Sequence, residues 1–160
     1  MIRSSGRTPV AIALGSNIGD RRGHLDYAVS RLGVFLHDIR ASSYYETAPV
    51  DVIGEQWDFL NAAAVGETEL TAREVLDALL AIEAARGRER PHPSAPRTLD
   101  LDIVLFGSDR IDEPGLVVPH PRFRERRFVL DPLAEIAPDW RDPVTGKTVA
   151  ELRALLLTAP

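Results

Sequence analysis

Apolar and polar positions along the chain change period in blocks, from strand-like runs to helical stripes and back. Residues 10–14 form a short apolar run closed by Gly15, the pattern of a buried strand. From Asp20 the period lengthens. Leu25, Ala28, Val29, Leu32 and Phe35 fall on one face of a helix, with Asp20 placed as its N-cap. Residues 39–46 alternate and are β-rich, predicting a strand. Residues 47–56, with Pro49 and Gly54, predict a loop, and residues 59–65 another strand. Thr71 followed by Glu74 predicts a capping box that opens a second helix. The stripe of that helix is Val75, Leu76, Leu79, Leu80 and Ile82, and Gly87 takes the C′ position. A basic, proline-containing loop leads to Thr98, and residues 99–106 read as a strong strand. A turn at 107–110, a short strand near 116–118 and helical patterns at 129–136 and 149–157 complete the chain. The order strand–helix–strand–strand–helix–strand predicts a ferredoxin-like α+β unit, an α/β sandwich. Its helices are expected over one face of a mostly antiparallel sheet, with extra elements at the C-terminal end.

No repeat, low-complexity stretch or linker divides the 160 residues, so a single domain over 1–160 is expected, its first eight residues flexible. A hydrophobic fraction of 44% argues against disorder. The absence of cysteine excludes disulfides, thiol chemistry and any Cys-based metal site. No window approaches the ~18 apolar residues of a membrane span. The first ten residues carry Arg3 and Arg7 without an apolar core, unlike a signal peptide. A monomer in the cytoplasm is the expectation.

Charge is unevenly placed. Residues 86–97 and 122–127 hold eight arginines against Glu89 and Glu125, a local charge of +6 in a chain whose net charge is −5. A basic island in an acidic chain suits a compact polyanion better than a long nucleic acid. The arginine fork matches phosphate oxygens, although lysine occurs only once here, so the choice of arginine says little by itself.

The sharpest chemical feature is Arg97-Thr98-Leu99-Asp100-Leu101-Asp102-Ile103-Val104. Side chains alternate along a strand, so Asp100 and Asp102 share one face, about 6–7 Å apart, while Leu99, Leu101, Ile103 and Leu105 are expected on the other. Two such carboxylates repel, and a divalent cation resolves the conflict, with carboxylate oxygens the hard ligands magnesium prefers. The plain alternative is the solvated face of an edge strand, which aspartate's poor strand propensity disfavours. Arg97, three residues before Asp100, and Arg88, just past the end of the second helix, could clamp a triphosphate with Asp-bound magnesium. Glu83 falls in the last turn of the second helix, where the dipole disfavours an acid. It reads either as a site residue or as an ordinary exposed glutamate. Leu14-Gly15-Ser16-Asn17-Ile18-Gly19-Asp20 is a glycine-containing turn without the Gly-Lys-Ser/Thr ending of a P-loop. His120, between Pro119 and Pro121, could donate to a phosphate or be a simple loop histidine.

Taken together and in order, these motifs carry a resemblance. Leu14-Gly15-Ser16-Asn17, Glu46-Thr47-Ala48-Pro49-Val50, Phe59-Leu60-Asn61-Ala62-Ala63 and Ile82-Glu83 through Gly87-Arg88 come first. Pro96 through Ile103, then Val118-Pro119-His120-Pro121 with Arg126 and Phe128, complete the set. The chain resembles the 6-hydroxymethyl-7,8-dihydropterin pyrophosphokinases of folate biosynthesis over nearly its whole length. The resemblance implies a ferredoxin-like fold that moves the β,γ-pyrophosphoryl group of ATP onto the pterin hydroxymethyl oxygen, giving AMP and the pterin diphosphate. It implies Asp100 and Asp102 as ligands of two Mg²⁺ ions, with Arg88 and Arg97 as arginines over the phosphates. Glu83, His120 and Arg126 become nucleotide-side contacts. Thr47, Ala48, Pro49, Val50, Phe59, Asn61 and Phe128 fall on the pterin pocket. A flat heterocycle suits an aromatic to stack on and an amide to read its edge, although Phe59 and Phe128 could equally be core aromatics.

The chain departs from the family pattern between Glu83 and Arg97. That loop is one residue shorter than in familiar members, and Pro93-Ser94-Ala95 stand where a basic residue, a tryptophan and a glycine are often found. In the family the loop is a mobile lid, which Pro91, Pro93 and Pro96 should narrow in conformational range. Two other classes fit less well. A two-metal nucleotidyltransferase or cyclase also places carboxylates on a ferredoxin-like sheet and would release pyrophosphate. A non-catalytic RNA-binding module is disfavoured by the acidic balance and by the lack of strand aromatics.

Overall fold

The computed structural model describes residues 6–48, 58–87 and 98–158. The first strand, β1 (Thr8–Ser16), lies at the heart of a five-stranded sheet in the order β2-β4-β1-β5, with β3 also paired to β4. The others are β2 (His37–Ala41), β3 (Tyr45–Thr47), β4 (Phe59–Thr68) and β5 (Asp100–Phe106). Every pairing is antiparallel. Helix α1 (Arg21–Leu32) connects β1 to β2, and α2 (Ala72–Ala85) connects β4 to β5. This is the expected ferredoxin-like order. Thr8, within the stretch expected to be flexible, is the buried first residue of β1. A hairpin of β6 (Ile111–Glu113) and β7 (Leu116–Val118) follows, then a 3-10 turn (Phe123–Glu125), α3 (Arg127–Ile136) and α4 (Val149–Thr158). No helix among the described residues is long and apolar enough to cross a membrane.

Local chemistry sets the helix ends. The Asp20 side chain accepts the Gly23 amide at 3.0 Å. The capping box of α2 is complete: Thr71 Oγ1 accepts the Glu74 amide at 3.1 Å, and Glu74 Oε1 accepts the Thr71 amide at 2.9 Å. Gly87, at φ +73°, supplies the left-handed residue that ends α2.

Three expectations are corrected. The strand expected over 39–46 is two strands, interrupted at residues 42–44, although the Ser42 amide still donates to the Ala63 carbonyl at 2.8 Å. The Ser42 hydroxyl accepts the Ala63 amide at 2.9 Å, standing in for a backbone carbonyl. The helices cover both faces of the sheet rather than one. Val10, Ile12 and Leu14 pack with α1 and α2, whereas Ala11, Ala63 and Val65 pack with Val129, Leu130 and Leu133 of α3. The small alanines let α3 lie close, and a strand apolar on both sides is the mark of a doubly covered sheet. Leu105, expected opposite the aspartates, joins that second core. Ala11 pairs Leu105 while Ile12 pairs Ile103, so Val104 is the extra residue of a bulge that shifts the phase.

Candidate active site

The end of the sheet where β1 finishes carries most of the expected site residues. Gly15 stands between two partners in the ladder, Asn61 on β4 and Asp100 on β5, and Ala13 between Ala63 and Asp102. Asn61, Ala63, Gly15, Ala13, Asp100 and Asp102 therefore share one face, the face that α3 covers. Asn61 and Asp100 are two strand spacings apart, about 10 Å. Nothing rises between them from Gly15. A Cβ there would lie 3.1 Å from Asn61 Oδ1 and 3.6 Å from the Phe59 ring.

One wall of this shallow floor is polar and fixed. Asn61 is buried, and its Nδ2 donates to Thr47 Oγ1 at 2.6 Å. Thr47 pairs Phe59, and Tyr45 pairs Asn61, across β3 and β4. Phe59 is half-buried and Ala48 exposed. The Tyr45 hydroxyl donates to Glu135 Oε1 of α3 at 2.6 Å, and the Ser43 amide and hydroxyl donate to the same carboxylate. Phe128, in the first turn of α3, packs against the second core with the Arg126 guanidinium 5.3 Å from its ring centre.

On the other side, Asp100 and Asp102 are half-buried. The bulge on β5 also places His120, whose amide donates to the carbonyl of Val104 at 3.0 Å. Burial pushes the His120 pKa below its ordinary value, Arg126 and Arg122 lower it further, and the nearby Asp100 opposes them. The ring is therefore neutral at neutral pH. Its Nδ1 accepts the Arg122 amide at 3.1 Å, which leaves the ring proton on Nε2 as a donor. Asp100, His120, Arg122 and Arg126 thus form one electrostatic cluster.

Glu83 is not the exposed glutamate that one reading allowed. It is 3% exposed, and its Oε2 accepts the Leu101 amide at 2.7 Å. The expected Arg88, Arg97, Pro49 and Val50, and the loop with Pro91, Pro93 and Pro96, lie outside the described residues. Among the described residues no group of three or more His, Asp or Glu could by itself hold a metal. The donor set is two hard carboxylates on one strand. That set fits magnesium, which keeps few protein ligands and completes its shell with phosphate oxygens and water. Sequence reasoning did not single out Tyr45, Glu135 or the Arg122 amide, whose parts are set by partners far along the chain.

Residues 11–138 match the family model described as 7,8-dihydro-6-hydroxymethylpterin-pyrophosphokinase. The chain belongs to that family. A Bacillus subtilis 2-amino-4-hydroxy-6-hydroxymethyldihydropteridine pyrophosphokinase is 48% identical over 127 residues, covering 78% of this chain and 75% of the relative. One from Methylorubrum extorquens is 42% identical over 151 residues, 93% and 94% of the two chains. The solved structure of a Plasmodium falciparum HPPK-DHPS with pteroate superposes with a TM-score of 0.75 at 14% identity, over 96% of this chain. This chain covers 41% of that longer one, and the likeness at such identity is one of fold. Within the pyrophosphokinase family, the match takes in β1 through α3, and with them every described site residue named above.

Proposed function

We propose that this chain transfers the pyrophosphoryl group of ATP to the hydroxymethyl oxygen of 6-hydroxymethyl-7,8-dihydropterin, releasing AMP and the pterin diphosphate. The observation that carries this reading is the arrangement across Gly15. It joins an amide-and-aromatic wall at Asn61 and Phe59 to a carboxylate pair at Asp100 and Asp102. Asn61, oriented by Thr47, reads the edge of the heterocycle, and Phe59 and Phe128 face its rings. The family resemblance assigns Ala48, Pro49 and Val50 to pterin binding as well. Asp100 and Asp102 would hold magnesium, two ions in this reading, beside the triphosphate. Magnesium, when bound there, supplies Lewis-acid neutralisation of phosphate charge. Neutral His120 donates from Nε2 to a phosphate oxygen, and Arg126, Arg88 and Arg97 add fixed positive charge where charge develops. In this reading the partners are ATP and the dihydropterin, not a nucleic acid, and the enzyme is a cytoplasmic monomer.

The test is product analysis. Purified protein with Mg·ATP and the dihydropterin is expected to form AMP one-for-one with pterin diphosphate. Asp100→Ala and Asp102→Ala are each expected to lower turnover by at least about a thousandfold, as loss of a major electrostatic element does. ADP as product would instead mean single phosphoryl transfer, and free pyrophosphate would mean nucleotidyl transfer.

A further inference from the structure

We infer that Glu83 is a positioning residue for the aspartate pair, acting through the backbone of β5 and not through the nucleotide. The inference rests on the pyrophosphoryl-transfer reading, since it assigns Asp100 and Asp102 their role. Glu83 sits in the last turn of α2, 3% exposed, with Oε2 2.7 Å from the Leu101 amide. Leu101 stands between the two aspartates. Its N–H belongs to the peptide that joins it to Asp100, so a tilt of that peptide turns Asp100 relative to Asp102.

The topology explains why this amide needs a side-chain acceptor. Among the described strands β5 is the outermost of its sheet and pairs with β1 alone. Alternate amides of such a strand face away from the sheet and have no strand to receive them. Leu101 lies opposite Leu14 in the β1 register, yet its amide is given to Glu83. The position also has a cost. A buried carboxylate at the negative end of a helix, near two aspartates, opposes the dipole and the neighbouring charge. Its bond to the Leu101 amide covers the outer edge of β5 at the residue between the two proposed metal-binding positions. Residues that orient ligands from behind are commonly worth 10–100-fold in metal affinity or activity.

The experiment compares wild type, Glu83→Ala, Glu83→Asp and Glu83→Gln by two readouts. One is hydrogen exchange at the Leu101 amide in ligand-free protein. The other is the Mg²⁺ concentration needed for half-saturation by a non-hydrolysable ATP analogue, measured by calorimetry. Glu83→Ala is expected to speed exchange at Leu101 at least about tenfold and to raise the Mg²⁺ requirement about 10–100-fold, with pterin affinity little changed. Glu83→Asp keeps the charge but withdraws the acceptor by one methylene, and is expected to behave like Glu83→Ala. It carries the test if the alanine variant fails to fold. Glu83→Gln, whose side-chain carbonyl accepts the same bond, is expected to recover most of both losses. Wild-type protection of Leu101 in Glu83→Ala or Glu83→Asp would overturn the proposal. So would a loss of analogue affinity that saturating Mg²⁺ does not restore, which would mean a direct nucleotide contact. Failure of the pyrophosphokinase reading would show separately, as absence of AMP from the wild type, while Leu101 exchange reports on Glu83 in either case.

Discussion

At Gly15 the missing side chain shapes the site. An added Cβ would stand 3.1 Å from Asn61 Oδ1 and 3.6 Å from Phe59, between the heterocycle wall and the carboxylates. Crowding a well-packed place typically costs about 1–3 kcal/mol. Gly15→Ala is therefore expected to weaken pterin binding about 10–100-fold while leaving Mg·ATP-analogue affinity within about twofold, as calorimetry with each ligand would show. Equal losses for both ligands would mean that the floor spans the nucleotide side as well. At the same scale, the Asp100 and Asp102 pattern was legible in the sequence because strand alternation alone puts i and i+2 on one face. The burial of Glu83 was not legible. A glutamate in a last helical turn reads the same whether it faces water or an edge strand, and here only the position of β5 decides.

Elements whose signals are local were read with their ends nearly right. The capping box at Thr71 and Glu74 needs only four consecutive residues, and both of its halves form. Thr71→Ala is expected to cost about 1 kcal/mol, lowering the thermal midpoint by about 2–4 °C. Its kcat should be unchanged, because Thr71 lies at the start of α2 and Glu83 near its end; a melting curve and a rate assay check both. Where two distant segments decide an element, the pattern was silent. The strand breaks after Ser42, whose hydroxyl takes the Ala63 amide where a backbone carbonyl would, and Val104 bulges against the Ala11–Ile12 step of β1. Both irregularities depend on a partner strand, and the second one brings His120 to β5.

For the molecule as a whole, the second layer of helices is joined to the rest by a buried acid. Asp142, wholly buried, accepts from Arg124 at 2.9 Å, from the Thr145 hydroxyl at 2.7 Å and from the Val144 amide at 3.0 Å. It links the 3-10 turn before α3 to the loop that leads into α4. Burial alone would raise its pKa, but the bonds from Arg124, Thr145 and Val144 override burial and hold it down, from 3.8 to about 2. The depressed value means a contribution to stability of about 2 kcal/mol. That contribution is complete above the unfolded pKa and is lost as pH falls from about 4 towards 2. Denaturant titrations at pH 6, 4 and 2.5 should show the midpoint falling chiefly below about pH 4. In Asp142→Asn the protein should be weaker at pH 6 by roughly 3 kcal/mol, as when one partner of a buried pair is removed. Its acid dependence should be correspondingly flatter.

The amino-acid sequence by itself determined the order of strands and helices, the helix caps and the pairing of Asp100 with Asp102 on one face. Through its ordered motifs it also determined the pyrophosphokinase family. These depend on chemistry between neighbours in the chain, where spacing of two to four residues is enough to place side chains together. Only the tertiary structure decided that α3 covers the sheet's second face with α4 packed on it, that Gly15 opens a floor between Asn61 and Asp100, and that Glu83 turns to Leu101. Those features join residues 18 or more positions apart, from Glu83 and Leu101 to Ala11 and Val129. Such contacts depend on how strands align and which faces meet, and no local period in the chain encodes that.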